Sequence, residues 1–159
     1  MKNLSTRRLV RGAIIAALYA VFTLALSAIS YGAVQVRVSE AMTLLPILFP
    51  EAVAGVTLGC LLANLLGGSM LPDIVFGTLA TFLAAVMTRK LRAKLFPAAM
   101  MPVLFNGFIV GAVVHYCYAP EMALVLCMLS VAAGEAIACL ILGPIFLKAL
   151  SKLPDKFMN

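Results

Sequence analysis

The chain has 159 residues, 64% of them hydrophobic and 11% charged, with a mean hydropathy of +1.12. Soluble domains run at roughly 45–50% apolar and about 25% charged, so this composition excludes an ordinary water-soluble fold and leaves most of the surface to lipid. The formal net charge is +6, but the basic residues stand in short clusters between apolar runs, which is the positive-inside pattern and not a nucleic-acid-binding face.

In hydrocarbon every backbone group must be paired internally, so spanning segments are helices or closed barrels. The apolar runs here are continuous, not alternating, and the expected fold class is all-α, a polytopic membrane protein forming one integral membrane domain over residues 1–159. Arg7, Arg8 and Arg11 precede a first apolar run that turns rich in small residues at Ala25, Ser27 and Ala28, as a signal peptide does. The run from Leu9 to Tyr31 has span length, however, where a signal core is shorter. It is read as a retained first span over about 9–30. A polar stretch from Gly32 to Glu40, with Gln35, Arg37 and Ser39, forms an outer loop. The second segment covers about 39–49 and stops at Pro50, and the third covers 51–66 and stops at Gly67-Gly68. The fourth covers 72–88 and is followed by a basic loop with Arg89, Lys90, Arg92 and Lys94. The fifth covers 97–116 and the sixth 121–147, followed by Lys148, Lys152 and Lys156.

Charge sets the expected topology. The N-terminal cluster, the loop at 89–94 and the C-terminal lysines belong in the cytoplasm. Six crossings satisfy this, with both termini inside. The segment 39–49 is short for a span, since about 20 residues are usual. A re-entrant or interfacial helix is the alternative, but one crossing fewer would put the basic loop outside. All basic residues except Arg37 then face the cytoplasm, whereas Glu40, Asp73, Glu121 and Glu135 lie toward the outer face or within the membrane. An outward-opening pocket would be acidic, suited to a ligand that is cationic or rich in hydrogen-bond donors.

Charged and amide side chains at membrane depth are costly and mark functional candidates. Glu135, mid-span between Gly134 and Ala136, is the hardest to explain structurally and reads as a ligand or relay carboxylate. Asp73 follows Pro72, where it can cap a helix, bind a ligand, or do both. Asn64 and Asn106 are either ligand contacts or interhelical glue. Arg37 and Glu40, three apart, either pair with each other or face the ligand. Glu51 after Pro50 reads as a helix cap, and His115 as interfacial. The cysteines Cys60, Cys117, Cys127 and Cys139 form no C-x-x-C pair and read as small packing residues. Small-xxx-small pairs recur at Ala13/Ala17 and Ala16/Ala20, at Gly55/Gly59 and at Gly107/Gly111, allowing close helix approach to an internal or external partner. One histidine rules out paired-histidine zinc motifs, and neither a phosphate-binding Gly-rich loop with lysine nor a Ser-His-Asp set is present. No cofactor or metal is expected. A transporter or binding subunit is a better class than an enzyme, and a stand-alone proton- or ion-coupled carrier using Glu135 as relay remains a rival.

Val36-Arg37-Val38-Ser39-Glu40-Ala41 followed by Leu44-Leu45-Pro46 resembles the QueT-type queuosine-precursor transporter family. The resemblance continues at Gly59-Cys60-Leu61-Leu62-Ala63-Asn64-Leu65-Leu66-Gly67-Gly68, from Asp73 to Thr81, at Pro102-Val103-Leu104-Phe105-Asn106-Gly107 and at Gly134-Glu135. Such proteins are substrate-binding S components of energy-coupling factor (ECF) importers. The resemblance implies six helices in a bacterial cytoplasmic membrane and no hydrolysis by the chain itself. The implied partners are a membrane coupling subunit carrying two cytoplasmic ATPases, docked through an A-x-x-x-A pattern that matches Ala13 and Ala17. The implied ligand is a 7-deazaguanine, the pre-queuosine base or queuine, with Arg37, Glu40, Asn64, Asp73, Asn106 and Glu135 as candidate contacts. An S component for another vitamin is the alternative within that fold.

Overall fold

The computed structural model describes residues 2–30 and 36–152; Gly32 and Gln35 of the polar stretch, Tyr31 and Lys156 lie outside them. Among the described residues the chain is helical throughout, with no strand. Helix α1 (Lys2–Ala25) breaks at Leu26 into a single turn, α2 (Ser27–Ser30). A 3-10 helix (Val38–Ile47) leads through a tight turn to α3 (Ala52–Leu66). Helices α4 (Leu71–Lys90) and α5 (Leu95–Cys117) follow. Helix α6 (Leu124–Ala136) runs through a π-helical stretch (Ile137–Leu142) into α7 (Gly143–Leu150). Among the described residues four segments are long and apolar enough to cross a membrane: Thr6–Ala25, Leu71–Lys90, Leu95–Cys117 and Leu124–Leu150. The 3-10 helix and α3 are apolar but shorter.

The 38–47 segment shows how a short helix is put to use. A 3-10 helix rises about 2.0 Å per residue against 1.5 Å for an α-helix, so its ten residues reach roughly 20 Å instead of 15 Å. Every residue from Ser39 to Pro46 is buried, which spares the strained hydrogen bonding of such a long 3-10 run from lipid. At its far end Arg89 donates to the carbonyls of Pro46 (3.0 Å) and Ile47 (3.1 Å). A cation there meets the negative end of the helix dipole and satisfies carbonyls that have no partner within the helix.

Arg11 also serves this end of the bundle. It pairs with Glu51 at 2.9 Å and lies over the Phe49 ring at 4.4 Å. Glu51 makes no side-chain cap to α3, contrary to the sequence expectation, because the arginine across the turn is the stronger partner. The start of α1, the turn at 48–51 and the end of α4 thus gather at one end. The end of α7 joins them, since Leu150 lines a groove with Thr6 and Arg7.

Proline and glycine set the interhelical distances. Pro102 inside α5 cannot donate to the Ala98 carbonyl four residues back. Thr88 of α4 supplies the missing donor at 3.0 Å, which ties α4 to α5 just below Asn106. Gly55 and Gly59 of α3 face α1: a Cβ on Gly59 would sit 2.7 Å from Tyr19 Cβ and 2.8 Å from the Ala16 carbonyl. Gly107 and Gly111 of α5 face α6, where a Cβ on Gly111 would lie 2.6 Å from Met128 Cα. The obstacle there is backbone, which cannot swing aside. Gly111→Ala is therefore expected to destabilise the protein by about 1–3 kcal/mol, the usual cost of overpacking, seen as a lower melting temperature in detergent. Gly68 ends α3 at φ 72°, a backbone conformation that glycine adopts freely.

Candidate functional site

The site assembles where the 3-10 helix is enclosed by α1, α3, α4, α5 and the α6–α7 helix. Arg37, Glu40, Asn64, Asp73, Asn106 and Glu135 are all buried, at 0–7% exposure. The outer-loop placement of Arg37 and Glu40 is corrected: Arg37 is the N-cap of the 3-10 helix and Glu40 lies in its first turn, both inside the bundle. Of the polar run in the sequence, Arg37, Ser39 and Glu40 are buried and not solvated.

Glu40 is the hub. Its Oε1 accepts from the Tyr19 hydroxyl and, at 3.5 Å, from Thr81. Its Oε2 is buried with no hydrogen-bond partner. Asn106 stands beside both Glu40 and Glu135, with its Nδ2 unpartnered. Glu135 Oε2 meets the Cys139 thiol at 3.7 Å, and that sulfur also reaches the Glu40 carbonyl at 3.4 Å. The π-helical stretch begins directly after α6, next to Glu135, and carries Cys139. A π-turn widens the helix locally and often accompanies a functional site. Here it lies against the 3-10 helix, and Gly143 just beyond leaves the room that Leu44 fills, since a Cβ would sit 2.5 Å from Leu44 Cδ1.

A second group of side chains continues the site toward the α3–α4 and α5–α6 connections. Asp73 does not cap α4 as an N-cap; Met70 holds that position, and Asp73 lies in the first turn. Its Oδ2 accepts from Tyr118 at 3.2 Å, while Tyr118 takes the Met70 N–H at 3.0 Å. Asn64 donates to the Asp73 carbonyl at 3.4 Å. Asn64 Oδ1 and Asp73 Oδ1 are buried without partners. Gly77 makes the space for both side chains: a Cβ there would lie 3.0 Å from Asp73 Oδ1 and 3.2 Å from Asn64 Nδ2. Partial burial pushes the Tyr118 phenol up, and Asp73 adds to that, so the hydroxyl stays a proton donor at neutral pH.

Arg37 links the two groups. Its guanidinium approaches Cys60 Sγ at 3.8 Å and is the positive charge felt by Glu40, Asp73 and Glu135. The six sequence-predicted residues are therefore brought together. Sequence reasoning missed Tyr19, Thr81, Cys60 and Cys139. The two cysteines are not mere apolar filler: Cys60 contacts the Thr81 hydroxyl at 3.4 Å and Cys139 contacts Thr43 at 3.6 Å. Their position in apolar runs was the only signal, and it pointed the other way. All four cysteines are free. His115, near the end of α5, lies 2.8 Å from the Met122 carbonyl in the α5–α6 connection.

Buried polar groups are ordinarily hydrogen-bonded. Here Glu40 Oε2, Asn64 Oδ1, Asp73 Oδ1 and Asn106 Nδ2 are all left without partners, within one enclosed cluster of side chains. Unpartnered donors and acceptors so enclosed make this cluster the candidate site for a small polar molecule that brings its own hydrogen-bonding groups. Apolar helices enclosing such a cluster fit a multi-pass membrane protein of the transporter class. The chain belongs to the QueT transporter family, whose model matches residues 9–152. A family of transporters is not one of enzymes. The "Queuosine precursor transporter QueT" of Lactococcus lactis subsp. cremoris (strain MG1363) is 40% identical over 83 residues, 51% of this chain and 48% of that protein. The match thus spans about half the length of the curated relative. No solved structure matches.

Proposed function

We propose that this chain is the substrate-binding S component of an ATP-driven ECF importer and that it takes up a queuosine precursor, a 7-deazaguanine such as the pre-queuosine base or queuine. The observation that carries the reading is the surplus of buried acceptors in a chain of the QueT transporter family. Three carboxyl groups, Glu40, Asp73 and Glu135, share the site with one guanidinium, Arg37. A deazaguanine offers a ring N–H and an exocyclic amine side by side, which one carboxylate accepts in bidentate fashion. An aminomethyl substituent adds an ammonium for a second carboxylate. Asn64 and Asn106 read the remaining polar edge.

The coupling role rests on α1. Gly55/Gly59 and Gly107/Gly111 are used up in contacts within the bundle, but Ala13 and Ala17 are exposed. This small-residue pair is available to a coupling subunit that carries two ATPases. The positive-inside rule places the arginine-rich end of the bundle in the cytoplasm, with the Asp73–Tyr118 end outward and six crossings in all, the 3-10 helix among them.

The test is a calorimetric titration of the purified protein with pre-queuosine base, queuine, guanine and riboflavin. A deazaguanine is expected to bind in the nanomolar to low-micromolar range. A folded sample that binds no deazaguanine overturns the substrate, and tight binding of riboflavin alone would assign another vitamin. Uptake into vesicles containing this chain and no ATPase would replace the S component by a stand-alone carrier.

A further inference from the structure

We infer that Tyr19 is the positioning residue of the ligand site, holding one oxygen of Glu40 so that the other is presented to a donor on the ligand. The inference rests on the proposed function in taking Glu40 to face a donor-bearing ligand. Tyr19 is fully buried on α1, and its hydroxyl donates to Glu40 Oε1. Thr81 reaches the same oxygen at 3.5 Å. Oε2 is buried and unpartnered. The terminal torsion of a glutamate is broad and nearly two-fold, so a carboxylate held by packing alone presents either oxygen. Two donors converging on one of them remove that freedom, and the acceptor facing the ligand is fixed before binding. An interaction that needs no reordering loses less affinity to entropy.

The anchor is itself secured. Gly59 leaves the space that the Tyr19 side chain fills, a Cβ there lying 2.7 Å from Tyr19 Cβ and 3.0 Å from Cγ. One turn further along α1, Thr23 bonds to Tyr19's carbonyl at 2.9 Å and to Ser39 at 2.6 Å. Helix α1 is therefore bonded to two adjacent residues at the start of the 3-10 helix, Ser39 and Glu40. The ring fixes where the hydroxyl is, and the hydroxyl fixes where the carboxylate points.

Tyr19→Phe keeps the ring and removes only the hydroxyl. Affinity for the aminomethyl pre-queuosine base is expected to fall roughly 10- to 100-fold, the range for losing a hydrogen bond to a charged group. The melting temperature of the ligand-free protein should stay close to the parent's. Because both residues act through one carboxylate, Tyr19→Phe with Glu40→Gln should bind no more weakly than Glu40→Gln alone. Parental affinity in Tyr19→Phe, or losses that add in the double variant, overturns the inference. A ligand-free infrared measurement separates it from the substrate assignment. The carboxylate stretching band that disappears in Glu40→Gln should shift in Tyr19→Phe, and an unshifted band overturns the inference whatever the ligand. If the parent protein binds no deazaguanine while the band does shift, the substrate reading falls and the Tyr19–Glu40 link stands.

Discussion

Glu40→Gln is expected to weaken ligand binding by two to three orders of magnitude while leaving the fold intact. The substitution is isosteric, and the argument lies in which atom ends up where. The amide carbonyl takes the place of Oε1 and still accepts from Tyr19 and Thr81. The amide NH₂ then occupies the position of Oε2, which is buried and without a partner in the protein. A ligand donor that met an acceptor now meets another donor, in surroundings where neither can turn to water. Removing one partner of a buried charged hydrogen bond costs about 2–5 kcal/mol, hence the expected range. Glu135→Gln should lose binding comparably, since Glu135 is also buried and its neighbours, Asn106 and the Cys139 thiol, leave capacity on the carboxylate. Glu121→Gln is the control: it removes the same charge from an exposed position in the α5–α6 connection. Calorimetry on the three variants decides. Equal losses at Glu121 and Glu40 would mean that overall charge draws the ligand in, and an unaffected Glu40→Gln would remove Glu40 from the site.

The distribution of polar residues along the sequence made most of the candidate site visible. Asn64, Asn106 and Glu135 stand out because an amide or a carboxylate in an apolar run has a price that only a partner offsets. Arg37 and Glu40 were visible as residues but misplaced. A run of polar residues before a short apolar segment reads as a loop, and nothing local says that Arg37, Ser39 and Glu40 at its end are buried in the bundle. The choice of a 3-10 helix over an α-helix for 38–47 was equally hidden, because ten residues give too few periods to tell the two apart. What selects the longer rise is tertiary: enclosure on every side, Arg89 at one end and Glu40 held at the other. Tyr19 and Thr81 escaped for a different reason. A tyrosine or threonine in a membrane helix carries little hydropathy signal, and only the fold shows that their hydroxyls meet on one oxygen. Cys60 and Cys139 were read as apolar on composition, and their neighbours make them weak hydrogen-bond partners instead.

The small-residue pairs divide the same way, and the division supports the second large expected effect: Ala13→Trp together with Ala17→Trp should abolish co-purification with a coupling subunit. The sequence offered several such pairs without saying which were internal. In the structure α1 turns Ala16 and Ala20 inward, at 6% and 7% exposure, and α3 meets that face through Gly55 and Gly59. Ala13 and Ala17 lie on the other side of the helix and are exposed, so among the described residues there is room for large side chains there. Against a closely packed partner helix, each added indole forces overpacking worth about 1–3 kcal/mol. Two of them weaken the complex by roughly 2–6 kcal/mol, or about 30- to 20,000-fold. Ligand affinity should be unchanged, because the site is reached from α1 through Tyr19 and Thr23 on the buried face. Ala16→Trp with Ala20→Trp gives the contrast, where the indoles would meet α3 and the protein itself should fail to fold. Co-purification surviving Ala13→Trp/Ala17→Trp would move the docking surface off this pair, and ligand binding lost with it would mean that the exposed face of α1 is part of the site and not only its outer wall.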